Sequence, residues 1–527
     1  MFRFLLIAAV MLPGFLCAAG AAAAFGLEDV ATIARQSAAA PYRDTGGADA
    51  TVPAELNRLG YDAMREIRWR PERALWRDLG LPFELQFFHV GGGHQPVQIS
   101  QIVDGAVHPL RHDPADWTFG KNRIDASVVA GLGPQGLAGF RVHTALNASG
   151  VKDELIVFLG ASYFRAIGRN QVYGLSARAL AIDTVGAPPA RGEEFPRFTT
   201  FWIERPGLDA TELVIYALLD SPSAAGAYRF TVRPGTDTTV DVQQRLYLRA
   251  AADRTPHLGI APLSSMYAFG ENQPQPHLQN QPNAGAGDFR PEVHDSDGLM
   301  LQADGESLWR PLVNPVFPSV SSFAVRQLQG FGLMQRDRRF ASYEDDEAHY
   351  ERRPSAWVEP LGDWGAGRIE LLQLPTPDET HDNIVAYWVP TTLPAGGEPL
   401  VLAYRLHWQG DLQRQPAVAH VVQSRRGIGW KAAGDRRGDL QFIVDFEGSA
   451  LADLPADAPV QAVASAALGA RITAARAWRH PISGWRMQLR VQRDDRNQPT
   501  ELRAYLRLGS DALTETWAAL VPAEPLP

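Results

Sequence analysis

Apolar and polar residues alternate with a period of two through most of this chain. Helical spacing is confined to its beginning. Leu27, Val30, Ile33 and Ala34 lie mostly three or four residues apart, which predicts a helix over Leu27 to Arg35. Leu56, Leu59, Ala63 and Ile67 share one face and predict a second helix over Pro53 to Ile67, with Pro53 suited to its first turn. From Pro82 to Trp408 the pattern is that of strands. Phe83 to Phe87 alternates cleanly, and Glu154 to Leu159 is an apolar run of the kind buried on both faces. Phe198 to Ile203, Glu212 to Leu219, Arg229 to Val232 and Thr239 to Leu248 are rich in β-branched and aromatic residues.

Short strands separated by Gly, Pro, Asp and Asn predict an all-β protein built on a large sandwich. The 47 Gly and 39 Pro are enough to supply frequent turns. Gly91-Gly92-Gly93-His94 reads as one such turn, because no Lys-Ser/Thr continuation makes it a phosphate cradle. Glu271 to Arg290 is a long polar loop, and loops of that length are usually functional or disordered. Near the end, Leu440, Phe442, Val444 and Phe446 alternate with polar residues except at Ile443. Trp485, Met487, Leu489 and Val491 repeat the pattern, as do Leu502, Ala504, Leu506 and Leu508. These predict a separate small sandwich over 439–527. The Gln-, Arg- and Gly-rich stretch 411–438 is the expected linker, and 25–410 the main domain.

Residues 1–24 read as a secretory signal: Arg3, an apolar run from Phe4 to Leu16, then small residues to Ala24. The run falls short of the roughly 20 residues a membrane span needs. No twin-arginine pair precedes it, so the general secretory route is expected. The one cysteine, Cys17, lies inside this segment, so no disulfide is expected in the mature chain. The formal charge of -9 disfavours nucleic acid and anionic membranes as partners and suits a neutral polymer.

Two acidic clusters stand at junctions between loops and strands. One is Glu292-Val293-His294-Asp295-Ser296-Asp297, and the other is Asp378-Glu379-Thr380-His381-Asp382-Asn383. Between them lie Tyr343 to Glu347, then Tyr350, Arg353 and Trp357. Two opposed carboxyl groups are what glycosidic cleavage needs, one to protonate the leaving oxygen and one to take a proton from the attacking group. Roughly 6.5–9.5 Å between them allows inversion through water, and about 5–5.5 Å allows retention. Aromatic rings such as Tyr350, Trp357, Trp364, Tyr387 and Trp388 offer flat faces to sugars, although each alone is more often a core residue. No metal or other cofactor is expected. A calcium register starting at Asp295 has Leu299 in place of an oxygen ligand and Met300 in place of the glycine. His294 and His381 lack the partners of a zinc site.

Five blocks resemble the OpgG/OpgD (MdoG/MdoD) family of periplasmic glucan biosynthesis proteins. They are Leu159 to Arg178 with Ser162-Tyr163-Phe164-Arg165, Met266 to Asn272, Asp288 to Leu299, Tyr350 to Pro360, and Asp382 to Trp388. The resemblance covers essentially the whole chain after the signal. It implies a galactose-mutarotase-like N-terminal β-sandwich joined to an immunoglobulin-like C-terminal one, in the periplasm. It also implies action on β-1,2-linked glucan as an inverting glycoside hydrolase or a transglycosylase. Carried over by motif, Asp382 is the general acid and Asp295 the general base. Glu379 and Tyr350 support them, and Asp297, Arg353 and Trp357 complete the expected substrate-binding set. The competing reading is a glucan-binding factor without catalysis, which guides a nascent chain from an inner-membrane glucan synthase. The missing twin arginines resemble the OpgG branch more than the OpgD branch.

Overall fold

The computed structural model describes residues 24–44, 52–185, 192–249, 256–273, 288–395, 397–410, 414–427 and 439–524. The expected signal falls almost wholly outside these, as does most of the polar loop between Glu271 and Arg290.

The protein is all-β, as the alternation predicts. The first helix is Leu27–Ala39, which lays Val30, Ala31 and Ala34 against Trp202, Tyr216 and Tyr247 on the outer face of a sheet. The second expected helix is two short ones, Ala54–Asn57 and Tyr61–Arg65. Gly60, in extended conformation, caps the second and interrupts the first. The apolar spacing could not register that break, although a glycine inside a helix costs about 1 kcal/mol relative to alanine. The Gly91–Gly93 stretch is a tight turn, with Gly91, Gly92 and Gly93 all at positive φ and Gly91 bridged to His94.

Two large sheets face each other. The first runs in the order Phe83–His89, Leu137–Thr144, Asp153–Leu159, Tyr163–Ala166, Ser176–Arg178, Leu258–Ser265, Ile384–Pro390, Gly367–Gln373 and Ser319–Val325, with Leu180–Ile182 also pairing to Leu258–Ser265. The second, longer sheet includes Gly298–Ala303, Leu328–Met334, Ser355–Pro360, Leu400–Gln409, Thr238–Leu248 and Gln98–Val103. Their inner faces form one core, in which Phe158 of the first sheet meets Phe201 and Phe230 of the second at ring distances of 5.5 and 5.3 Å. Each such aromatic contact contributes about 0.5–1.5 kcal/mol beyond the burial itself.

The C-terminal part is a sandwich, but one of its sheets is continuous with the second large sheet. Thr516–Val521 pairs in parallel with Glu306–Pro311, and Thr500–Leu508 and Gln461–Ala466 extend the sheet beyond it. Its other sheet is His420–Gly427, Asp439–Glu447, Trp485–Arg493 and Ala470–Arg479. The predicted inward residues Trp485, Met487, Leu489 and Val491 are all buried. His420–Gly427 lies inside the stretch expected to be a linker. It is the edge strand of this sheet, and its several polar side chains gave its sequence the look of a loop.

Candidate active site

Three residues, Ser265 to Tyr267, organise the site. They leave the central strand Leu258–Ser265 of the first sheet and enter the ribbon Tyr267–Phe269. Asn383, beside Asp382, is buried and turns most of its amide to this segment. Its Oδ1 accepts from the Tyr267 N–H at 2.8 Å, and its Nδ2 donates to the carbonyls of Tyr267 (3.0 Å) and Leu374 (2.9 Å). The Asn383 N–H donates to Ser265 O at 3.1 Å. From the other side, the Asp295 N–H donates to Met266 O at 2.9 Å, and Ser265 Oγ lies 2.9 Å from Ser296 Oγ. Two segments almost ninety residues apart are thereby fastened to the same short piece of chain.

The two acids differ in surroundings. Asp295 is nearly buried, with its side chain 6% exposed, and its Oδ1 accepts from Arg353 Nη1. Arg353 stands 4.1 Å above the Tyr350 ring and donates from Nε to Ala348 O at 3.2 Å. The short turn Tyr350–Arg352 sets this stacked arrangement. Gly174 makes room for it: a Cβ there would stand 2.9 Å from Arg353 Cβ. Asp382 is more open, with its side chain 27% exposed. Burial raises its pKa above the usual aspartate value, and Arg165, with Nη2 at 4.0 Å, draws it back. The negative charge of Asp295 is a further cause of the rise, so the two carboxyl groups are within electrostatic reach of each other. Burial also pushes the Tyr350 phenol well up, so it remains a hydroxyl at neutral pH.

Glu379 accepts from Arg290 Nη2 at 2.6 Å, and Arg290 also binds Asp288 and Asp345. The charge of Glu379 contributes to the rise at Tyr350. Asp297 points away. Its carboxyl is buried, its Oδ2 accepts from the N–H groups of Arg336 (2.9 Å) and Asp337 (3.0 Å), and desolvation pushes the group up to about 6. Trp357 is fully buried in the second core with Met334, Trp309 and Trp485, and Gly330 presses on its indole. It cannot present a face to a sugar. The structure therefore brings together Asp295, Arg353 and Tyr350, with Asp382 in electrostatic reach, joins Glu379 to Arg290, and sets Asp297 and Trp357 apart from them.

Several residues of the site were not singled out from the sequence. Arg165 donates from Nε to Ser176 Oγ at 2.7 Å and faces Asp382. Arg178 donates to Ser264 Oγ at 2.8 Å and stands 4.7 Å over the Tyr163 ring. These residues come from two short neighbouring strands within one of the blocks quoted above. An arginine on the same face as a tyrosine was the available signal. Beneath Asp295, both ring nitrogens of His294 face oxygens, Glu292 Oε2 at 3.0 Å and Gln335 Oε1 at 2.9 Å. Gln335 Nε2 donates to the carbonyls of His294 and Tyr350, which fixes that amide's orientation and leaves its Oε1 facing His294 Nδ1. Burial opposes protonation of the ring, but Glu292, Asp297 and Gln335 together outweigh it and hold the imidazole above its ordinary value. Glu271 links this network to the C-terminal sandwich by accepting from the Ser424 N–H at 2.5 Å.

A protein-family model described as "Periplasmic glucan biosynthesis protein, MdoG" matches residues 25–521. "Glucans biosynthesis protein G" of Ralstonia nicotianae is 52% identical to this chain, over 96% of it and 98% of the relative. The proteins of the same name from Pseudomonas aeruginosa (strain LESB58) and Pectobacterium atrosepticum are 46% and 45% identical. Each match covers 95% of this chain, and 93% and 94% of the respective relative.

Proposed function

The chain belongs to the MdoG family of periplasmic glucan biosynthesis proteins, and we propose that it acts there as an enzyme on β-1,2-linked glucan. The observation that carries this reading is the fastening of Asp295 and of Asn383, next to Asp382, to one three-residue segment, with the charge of Asp295 raising the Asp382 pKa. Their environments suit opposite roles. A partly buried carboxyl with a raised pKa keeps its proton longer and can give it up. A carboxylate whose charge is met by an arginine can take one.

In the reaction proposed, Asp382 protonates the glycosidic oxygen as the bond from the anomeric carbon breaks. Asp295 removes a proton from the attacking oxygen, and that oxygen bonds to the anomeric carbon from the opposite face. Water as the attacking group gives hydrolysis, and a sugar hydroxyl gives transglycosylation. Each carboxyl ends the cycle in the other's starting state, and solvent restores both. Arg353 and Tyr350 hold Asp295 in place, and Arg165 and Arg178 offer donors for sugar hydroxyls. A signal-directed periplasmic location is part of the same proposal.

The test is incubation of purified protein with linear β-1,2-glucan while chain length is followed. The native protein changes the distribution, and Asp382→Asn, folded as judged by circular dichroism, does not. If native protein and variant leave the same unchanged distribution, the enzyme reading fails.

A further inference from the structure

Arg290 stands five residues before Asp295 and just ahead of Pro291, which disfavours a helical backbone there. Asp288 Oδ1 accepts from the Arg290 N–H at 3.0 Å. Both oxygens of Asp288 also accept from the guanidinium, from Nε at 2.9 and 3.0 Å and from Nη2 at 2.6 Å. This two-pronged contact fixes the plane of the fork and leaves its ends to other partners. Nη1 donates to Asp345 Oδ2 at 2.7 Å, and Nη2 donates to Glu379 Oε2 at 2.6 Å. One side chain, 15% exposed, thus joins three segments far apart in sequence.

The two segments it reaches lead to the residues of the site. Asp345 turns its other oxygen to the N–H groups of Glu347 (3.0 Å) and Ala348 (2.7 Å), and Ala348 O accepts from Arg353 Nε at 3.2 Å. Arg353 in turn meets Asp295 and the Tyr350 ring. Glu379 belongs to the loop 374–383, which joins Gly367–Gln373 to Ile384–Pro390 and carries Asp382. Leu374 and Asn383 close the neck of this loop with bonds of 2.8 and 2.9 Å. The Asn314 amide holds its side, bonding the backbone of Thr376 at 2.8 and 3.0 Å. The tip, residues 378–381, is exposed. Among the described residues, Arg290 is the side chain from outside the loop that bonds this tip.

We propose that Arg290 is a positioning residue: it latches the loop bearing Asp382 to the side of the site where Arg353 meets Asp295, and so steadies the distance between the two acids. Its part in turnover rests on the enzyme reading above. Without the cation, three carboxylates gathered at one point repel each other and the tip swings away. A lysine there keeps the charge but not the fork, so it serves these partners only in part.

The experiment places a nitroxide on Thr380→Cys, at the exposed tip, with Cys17, the one native cysteine, changed to Ser. Spectra are taken of this labelled protein and of its Arg290→Ala and Arg290→Lys forms. Steady-state kinetics on linear β-1,2-glucan and urea unfolding are measured on the unlabelled counterparts. Arg290→Ala is expected to sharpen the nitroxide spectrum and to lower kcat about 10- to 100-fold, while KM changes less than about threefold. Arg290→Lys is expected to recover part of both. A native spectrum in Arg290→Ala overturns the latch. A freed tip with native kcat overturns the positioning role, as does a loss no larger than the unfolded fraction. The two readings fail separately. If native protein leaves the glucan unchanged but Arg290→Ala frees the tip, the latch stands and the enzyme reading falls. If Asp382→Asn is inactive but Arg290→Ala keeps native turnover, the enzyme reading stands and the positioning role falls.

Discussion

Replacing Gly174 with alanine tests whether the geometry around Asp295 matters for activity. The added methyl would meet Arg353 Cβ at 2.9 Å, Cδ at 3.0 Å and Cγ at 3.2 Å. The first of these cannot swing aside, because it is fixed to the backbone at the end of the Tyr350–Arg352 turn. Overpacking of this kind costs about 1–3 kcal/mol. The backbone at Gly174 lies outside the left-handed region, so alanine recovers about 0.4–1 kcal/mol through the unfolded chain. The net loss is about 1–2 kcal/mol, small enough for the protein to remain folded. Arg353 is then pushed off both Asp295 and the Tyr350 ring. A displacement of about 1 Å at a catalytic base lowers turnover roughly 100-fold. Steady-state kinetics on linear β-1,2-glucan, with urea unfolding of the same preparations, separates the two effects. Gly207→Ala is the control, since its methyl meets nothing within 4 Å. Native turnover in Gly174→Ala, or a loss no larger than the unfolded fraction, would refute the reasoning.

Two further outcomes follow from the same contacts. In the proposed mechanism the alkaline limb of the pH–activity profile reports loss of the Asp382 proton, and Arg165 lowers that pKa, so Arg165→Ala should move the limb to higher pH, whereas an unmoved limb would separate Arg165 from the proposed acid. Arg336 and Glu515 form a buried pair between the main sandwich and the C-terminal one, with side chains 5% and 0% exposed, so Glu515→Ala should cost about 3–5 kcal/mol in a urea melt, and a loss below about 1 kcal/mol would show the pair to be dispensable.

Much of this architecture could be read from residue spacing, and the parts that could not share a cause. The buried series from Trp485 to Val491 was legible because a half-buried strand records its inner face in every second residue. The acids Asp295 and Asp382 were legible through the motifs around them, but their proximity was not, since it depends on Asn383 and the Ser265–Tyr267 segment meeting after folding. Trp357 was misplaced because an aromatic near acidic residues in sequence reads the same whether it faces a ligand or, as here, the second core. Arg165 and Arg178 stand on strands of four and three residues, too short for alternation to declare a face. The merging of the C-terminal sandwich into the main sheet rests on the parallel pairing of Thr516–Val521 with Glu306–Pro311, a contact across some two hundred residues that local patterning does not encode.

Two side-chain acids working as one unit should show it in a double-mutant cycle. The rate of glucan chain-length change is measured for native protein, Asp295→Asn, Asp382→Asn and the double variant, all checked for folding. The account predicts that each single change removes nearly all activity and that the double change does little further harm, because either loss already disables the pair. Single variants that keep native rates, or losses that multiply in the double variant, would contradict it.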